Sequence, residues 1–213
     1  IEYHNWTEAF RSTPVVDMDH LAGRELRFWR DWVSHTEYDD YWDSVNIETK
    51  WDQFAVPALV MGGWYDLYAQ NAFINFNGLK LNGRTEEARQ SRLIVGPWPH
   101  ALSTSTKTGD IDFGVNSMVD LESLELRWFD YWMRGADNGV ADEAPLTLFI
   151  MGVNEWRDEH EWPLARTDWQ KWNFHSSGTA NTLGGDGSLS LSEPGDETPD
   201  TFAFDPEHPA QTV

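Results

Sequence analysis

The 213-residue sequence predicts an α/β fold with a parallel sheet, followed by an all-β sandwich. Two short, continuous apolar runs, at 56–63 and 93–95, are typical of strands buried on both faces. A helical pattern follows each run, and strand–helix alternation at these lengths indicates right-handed β-α-β crossovers. After Gly139 the helical patterns give way to short strand patterns and Gly- and Pro-rich turns, which predict the sandwich.

The leading segment, 1–50, reads as helical with aromatic faces. Residues 18–35 carry large apolar side chains at helical offsets. Thr36 is the predicted N-cap of a second short helix, with Asp39 in the capping-box position. Asp39 and Asp40 would then lie in its first turn, where the helix dipole favours negative charge.

The α/β elements come next. The run at 56–63 predicts the first strand, and residues 67–81 predict a helix that ends at Asn82-Gly83. The second strand, 93–95, is closed by Gly96-Pro97. A further helix is predicted over 117–134, with Gly135 as its stop.

The remainder reads as β structure without helices. Strands are predicted at 146–151, 169–174, 188–192 and 201–204, and the pattern is still incomplete at residue 213. The predicted organisation is therefore a helical segment at 1–50, an α/β segment at 51–140 and the start of a β-sandwich at 141–213.

Composition excludes several classes of function. Lys and Arg number 15 against 36 Asp and Glu, a net charge of −21, which argues against nucleic acid or an anionic membrane as a partner. The absence of Cys excludes disulfides, thiolate metal sites and a cysteine nucleophile, and it leaves the redox compartment undetermined. We expect a soluble protein, either cytoplasmic or secreted. No run has the character of a signal peptide or a membrane span.

Two polar residues follow the predicted strands where catalytic groups of α/β sheets gather. Asp66 ends the segment Gly62-Gly63-Trp64-Tyr65-Asp66, and His100 ends Gly96-Pro97-Trp98-Pro99-His100. An acid and then a histidine match the last two members of an α/β-hydrolase triad, whose chain order is Ser, acid, His. In such a triad the imidazole takes the serine proton and the carboxylate fixes its tautomer. A turn aspartate and a structural histidine are the alternative.

No G-x-S-x-G motif for the nucleophile occurs in the sequence. Ser-first order would place the nucleophile strand before residue 1. We therefore expect the chain to be the C-terminal part of a longer enzyme and to be inactive alone.

Segments 36–42, 56–66 and 96–100 resemble the cocaine esterase / X-Pro dipeptidyl-peptidase family of serine hydrolases. Segments 148–152, 155–157, 162–167, 186–190 and 205–206 resemble the opening of that family's C-terminal jelly roll. The resemblance covers nearly the whole chain. It implies the end of a helical cap at 1–50, the C-terminal part of an α/β-hydrolase core at 51–140 and a truncated jelly roll at 141–213.

Carried over by residue, the resemblance implies that Asp66 is the triad acid and His100 the base. Tyr68 matches a position that lines the acyl or side-chain pocket, although it also fits the apolar face of its helix. In the α-amino-acid ester hydrolase branch, the second and third residues after the acid are carboxylates that bind the substrate ammonium. Here they are Tyr68 and Ala69, which favours a less charged acyl group.

For several side chains the sequence allows two interpretations, one functional and one structural. Trp64 and Trp98 flank the two loops and either shape the pocket wall or support it. Asp158-Glu159-His160-Glu161 looks like a metal cluster but lacks the spacing of a zinc protease, which favours a solvated turn. No metal or organic cofactor is implied.

The expected partners are a small-molecule ester, amide or peptide substrate and the missing N-terminal part of the hydrolase domain. A homo-oligomer is compatible with the sequence. A second hypothesis from another class is a Trp-rich β-sandwich that binds carbohydrate and carries a helical extension. It predicts no coupling between Asp66 and His100.

Overall fold

A computed structural model describes residues 8, 11, 13–21, 23–205 and 208. Two compact units make up the chain. One is Tyr38–Arg166, and the other combines the residues up to Glu37 with Thr167–Thr212.

Regular elements follow one another along the described residues. The helices are α1 (Met18–Leu21), α2 (Arg27–Ser34), α3 (Asp40–Val45), α4 (Ala69–Asn82) and α5 (Leu121–Arg134). The strands are β1 (Leu59–Gly63), β2 (Arg92–Gly96), β3 (Lys107–Thr108), β4 (Ile111–Asp112), β5 (Leu146–Ile150), β6 (Glu155–Glu159), β7 (Asn173–His175) and β8 (Ser188–Ser190). Single 3₁₀ turns lie at Val15–Asp17, Trp51–Gln53, Ala88–Gln90, Val115–Ser117 and Val140–Asp142.

A mixed sheet organises the Tyr38–Arg166 unit. Its strand order is β1-β2-β5-β6, with β1, β2 and β5 parallel and β6 antiparallel to β5. The register pairs Gly63 with Gly96, so β1 and β2 end side by side. This confirms the prediction of parallel strands joined by a crossover helix.

Strand β5 corrects the predicted boundary at residue 141. The sequence pattern assigned this strand to the sandwich, but it pairs with β2 in the sheet. The physical reason is its burial on both faces. Leu146 and Leu148 join the core cluster, and Phe149 is also buried. An apolar strand of this kind fits an interior position of a parallel sheet.

Helix α4 covers the sheet and forms the core with it. Phe73 and Phe76 belong to the same buried cluster as Leu93 and Val95 of β2 and the two β5 leucines. Burying side chains of this size contributes about 1.5–3 kcal/mol each. The helix begins at Ala69, two residues later than predicted.

The leading helices differ from the pattern predicted for them. A glycine with positive φ, Gly23 at +77°, lies between α1 and α2, where one continuous helix was expected. Asp39, not Thr36, is the N-cap of α3, and its carboxylate accepts hydrogen bonds from the N–H groups of Tyr41 and Trp42. Aspartate is among the best N-cap residues, so Asp39 caps the helix and Asp40 begins it.

Only the second half of the acidic run 158–161 is the solvated turn that its composition suggested, because His160 and Glu161 lie in exposed bends. Asp158 and Glu159 end strand β6, and Glu159 is 7% exposed. Its carboxylate accepts hydrogen bonds from both terminal nitrogens of Arg166 and pairs with Arg157. In the described part of the chain, no group of three His, Asp or Glu side chains is placed to hold a metal ion.

The second unit holds α1, α2 and a two-stranded antiparallel sheet, β7-β8. Buried Asp19 accepts hydrogen bonds from the backbone N–H of Leu26 and from Arg30, at 2.9 and 2.6 Å. Residues 201–204, all of them described, form no strand, contrary to expectation. The jelly roll therefore stays a prediction.

Among the described residues, none of the helices combines the length and the apolar character that crossing a lipid bilayer requires.

Gly78 of α4 is expected to tolerate no side chain. A Cβ there would overlap the indole ring of Trp51, whose Nε1 is tied to Asn75 at 3.3 Å. Gly78→Ala should lower the free energy of unfolding by about 1–2 kcal/mol, because overpacking outweighs the better helix propensity of Ala. Urea unfolding monitored by circular dichroism measures this. Exposed Asn71→Ala in the same helix is the control, and equal stability of the two variants would contradict the packing argument.

The ion pair of Glu159 should make stability depend on pH. The hydrogen bonds from Arg166 hold the pKa of the Glu159 carboxyl below its ordinary value, against the opposing effect of burial. A lowered folded-state pKa contributes stability above the unfolded value of about 4.3, and this contribution is lost as pH falls through the folded-state pKa.

Glu159→Gln should therefore be less stable than the wild type at pH 7 and approach it in acid. Urea unfolding at several pH values between neutrality and acid tests this. Asp130→Asn, which removes an exposed ion pair with Arg134, should change stability by less than about 0.5 kcal/mol. A pH-independent difference between Glu159→Gln and wild type would show that the pair does not act through its charge.

Candidate active site

Asp66 is held in one orientation by the turn that follows β1. Its backbone N–H donates to the carbonyl of Gly63 at 3.1 Å, and its Oδ1 accepts from the N–H of Tyr68 at 2.9 Å. The second contact is an Asx turn, in which a short carboxylate bonds the backbone two residues on. Since the side chain is only 7% exposed, the carboxylate is fixed and mostly shielded.

The loop after β2 is bonded directly to the loop after β1. The N–H of Trp64 donates to the carbonyl of Gly96 at 2.9 Å, and the N–H of Tyr65 donates to that of Trp98 at 3.1 Å. Glycine is required at both strand ends. A Cβ at Gly63 would strike the Trp98 carbonyl, and one at Gly96 would strike the Trp98 ring.

His100 meets Asp66 as the sequence predicts. Its Nδ1 lies 3.1 Å from Oδ2 and 3.3 Å from Oδ1 of Asp66, within hydrogen-bonding range. The carbohydrate-binding hypothesis predicts no such coupling. A carboxylate accepts hydrogen bonds, so Nδ1 carries the proton in neutral histidine and Nε2 is the basic nitrogen. The ring is 69% exposed, so Nε2 is on an open side of the site.

Tyr68 lies beside the histidine and not in the core. Its ring contacts the His100 ring edge-on, with centroids 5.4 Å apart and planes at 67°. Tyr68 is the residue before α4 and is 54% exposed, so the interpretation that buries it on the helix is wrong. Tyr68 is thus close enough to His100 to contact a group that reaches the imidazole.

Trp64 and Trp98 support the loops from within the protein. Trp98 is 1% exposed and its Nε1 donates to the carbonyl of Ser117 at 2.9 Å, which is incompatible with a place in the pocket wall. The Nε1 of Trp64 donates to the carbonyl of Phe149 at 2.8 Å, and its ring stacks on Phe73. Of the three residues predicted to bind substrate, only Tyr68 therefore stands exposed beside His100.

Two residues that position the His100 loop were not found from the sequence. The carbonyl of Ser117 accepts from Trp98, and the Thr108 hydroxyl donates to the carbonyl of Pro97 at 2.8 Å. Thr108 ends the two-residue strand β3 and Ser117 ends a 3₁₀ turn, both between β2 and α5, where no periodic pattern links them to the loop. A Ser or Thr in such a segment gives no signal of its own.

Comparisons with known proteins agree with this geometry. The family model described as X-Pro dipeptidyl-peptidase (S15 family) matches residues 4–102, which include both Asp66 and His100. The cocaine esterase of Rhodococcus sp. (strain MB1 Bresler) is 33% identical over 205 residues, 94% of this chain. The chain is related to the cocaine esterase / X-Pro dipeptidyl-peptidase family of serine hydrolases.

The chain spans 34% of the length of this cocaine esterase. Among solved structures, an aminopeptidase from a marine sediment archaeon, Thaumarchaeota archaeon, superimposes with a TM-score of 0.63 at 18% identity, over 91% of this chain and 31% of that one. A CocE/NonD family hydrolase from Staphylococcus aureus gives 0.46 at 18% identity, over 71% and 24%. The mixed sheet with its helices, the family match and the superposition on the aminopeptidase fit an α/β-hydrolase-like fold. Nothing in these similarities supports the carbohydrate-binding alternative.

The hydrogen bond between Asp66 and His100 should set the histidine tautomer. In the wild type at a pH where His100 is neutral, we expect the proton on Nδ1. In Asp66→Asn the amide can donate as well as accept, so a larger fraction of the Nε2–H tautomer is expected. The ¹⁵N chemical shifts of the two ring nitrogens measure this. Exposed Asp52→Asn is the charge-matched control, and an unchanged tautomer in Asp66→Asn would contradict the contact.

Proposed function

We propose that this chain supplies the acid and the base of a serine hydrolase that cleaves ester or amide bonds through an acyl-enzyme. The observation that carries the proposal is the contact between Asp66 and His100 Nδ1 at the ends of two adjacent parallel strands. The comparisons support hydrolysis of an ester or amide bond, because the similar protein is named an esterase and the matching family is described as a peptidase.

In the first half-reaction, His100 Nε2 takes the proton of a serine hydroxyl as the serine oxygen bonds the substrate carbonyl. Asp66 stabilises the imidazolium that forms, since its carboxylate faces Nδ1–H. The proton then passes from Nε2 to the leaving alcohol or amine as its bond to the acyl carbon breaks. In the second half-reaction, His100 Nε2 takes a proton from water as the water oxygen bonds the acyl carbon. That proton then passes to the serine oxygen as the acyl–serine bond breaks, which releases the carboxylic acid and restores the serine hydroxyl.

The nucleophile in this proposal comes from a segment outside the 213 residues. No serine of the chain lies in a G-x-S-x-G motif, which places the nucleophile on a strand-to-helix turn of an α/β-hydrolase. The oxyanion-hole groups that accompany that turn would come from the same segment. The chain alone would then hold a base without a nucleophile, and would be inactive.

The acyl side of the substrate would meet a neutral aromatic surface. Tyr68 stands edge-on to His100, and Ala69 begins α4, so neither position offers a carboxylate to a substrate ammonium. An acyl group without a positive charge fits this surface better than an α-amino acyl group.

The domain organisation follows from the pairing of β5. We place the hydrolase core from residue 51 to Arg166, because β5 and β6 extend the sheet that carries the site. Residues up to 50 would end a helical cap, and 167–213 would begin the jelly roll. The two-stranded sheet β7-β8 is the start of that β domain in this proposal.

Two forms of the protein test the function. The 213-residue chain alone should neither hydrolyse p-nitrophenyl esters nor react with a fluorophosphonate probe. A longer polypeptide, in which the 213-residue chain follows a hydrolase segment that contains a G-x-S-x-G serine, should hydrolyse the esters and react with the probe. In that longer polypeptide, Asp66→Asn should lower kcat by about 10⁴-fold, because His100 is then no longer held in the Nδ1–H tautomer that leaves Nε2 basic. His100→Ala should lower kcat at least as much.

Asp52→Asn, an exposed carboxylate outside the site, should leave kcat unchanged. Labelling of the chain alone would show that the nucleophile lies within it. Full activity of the longer polypeptide with Asp66→Asn or His100→Ala would remove these residues from the mechanism.

A further inference from the structure

A cavity in the Tyr38–Arg166 unit lies at the amino ends of β2 and β5, away from the strand ends that carry the candidate active site. It has a volume of about 230 Å³, the space of several water molecules at ~30 Å³ each. Arg92, the first residue of β2, and Pro145, which precedes β5, line it. Asp66 and His100 follow the far ends of β1 and β2. A strand of five residues spans roughly 16 Å, so this cavity is separate from the candidate active site.

Positive side chains dominate the lining of this cavity. Lys80, Arg89 and Arg92 line it, and Glu143 is the one acidic side chain among its walls. This grouping is unusual in a chain with 15 basic and 36 acidic residues. Chance placement in such a chain would surround a cavity with carboxylates.

The one carboxylate of the cavity is shared between two guanidinium groups. Glu143 pairs with Arg92 and also with Arg127 of α5. The Arg92 side chain is 10% exposed and its Nε donates to the carbonyl of Ala144 at 3.0 Å. A single negative charge between two positive ones leaves a net positive charge in a shielded place.

The other two cations, Lys80 and Arg89, are held by backbone carbonyls. In the described part of the chain neither forms a close ion pair, although the charges of Glu161 and Glu87 act on them. Arg89 donates to the carbonyl of Gly83 at 2.7 Å, and the Lys80 ammonium donates to the carbonyl of His160. Burial lowers the pKa of Lys80, opposed by the more distant charge of Glu161. Burial also lowers the pKa of Arg92, and the charge of Arg127 acts in the same direction.

Trp132 adds a donor in the wall. Its ring lines the cavity, and its buried indole N–H has no acceptor among the residues that the structure describes. Buried polar groups in folded proteins nearly always have a partner. Glu143 Oε2, also buried, makes no hydrogen bond either, so the wall holds one donor and one acceptor without a hydrogen bond beside its excess of positive charge.

We propose that this cavity binds a small oxyanion, of the phosphate or carboxylate type, between Lys80, Arg89 and Arg92. An anion there would balance the charge that Glu143 leaves and accept hydrogen bonds from the free donor positions of the guanidinium groups. The volume of about 230 Å³ admits an inorganic anion or a small carboxylate. The site lies away from His100, so its occupancy bears on the stability of the sheet and does not depend on the proposed reaction.

Calorimetric titration of the 213-residue chain with inorganic phosphate, at constant ionic strength set by chloride, tests the proposal. Saturable binding at one site and a phosphate-dependent rise in Tm are expected. Arg89→Gln should weaken phosphate binding about tenfold, since it removes a charge-assisted hydrogen bond at an exposed residue. Lys80→Gln should weaken it in the same way, so the result does not rest on one variant.

Arg134→Gln is the matched control, because it removes one positive charge from an exposed position of α5 outside the cavity. It should leave phosphate binding within about twofold of wild type, as exposed charges away from a site act weakly through salt. Titration with acetate separates the two types of ligand: binding as tight as that of phosphate indicates a carboxylate site. The absence of saturable binding of either anion would overturn the proposal, as would equal losses in Arg134→Gln and the two cavity variants.

Discussion

The close approach of the chain after β1 to the chain after β2 is the constraint on which the candidate site depends. Parallel pairing puts Gly63 opposite Gly96, and the absence of side chains at both lets the Trp98 backbone and ring pack against the strand ends. Past the ends of the two strands, the N–H groups of Trp64 and Tyr65 donate to the carbonyls of Gly96 and Trp98. These two hydrogen bonds hold the loops together. Asp66 and His100, 34 positions apart, meet because these loops have no freedom to separate.

The two members of the pair are held differently, and the difference suits the roles that we propose for them. Asp66 is shielded and bonded to the backbone of its own turn, so its carboxylate stays in place when the neighbouring ring changes charge. His100 is largely exposed and is positioned through Nδ1. A base must reach an external proton and then release it, which requires one free nitrogen on the open side. An orienting carboxylate needs the opposite, a fixed place and little contact with water.

The sequence was sufficient for the parts of the fold governed by local signals. Apolar runs between Gly and Pro revealed β1 and β2, and a polar residue after each revealed Asp66 and His100. It was insufficient where partners are distant along the chain. The place of β5 depends on pairing with β2, some fifty residues earlier, and the burial of Trp98 depends on Ser117 and on two glycines. Periodicity contains no information on such pairings.

The net charge of −21 is separate from the chemistry at His100. The carboxylate beside the imidazole is Asp66, and the positions that follow it, Tyr68 and Ala69, are neutral. The buried charged side chains of the described residues are instead paired with opposite charges: Asp19 with Arg30, Arg92 with Glu143 and Glu159 with Arg166. The acidic excess therefore falls on exposed side chains, where hydration and salt screen it. At the candidate site one negative charge, that of Asp66, faces the imidazole. In the proposed reaction this charge is balanced only while His100 carries the additional proton.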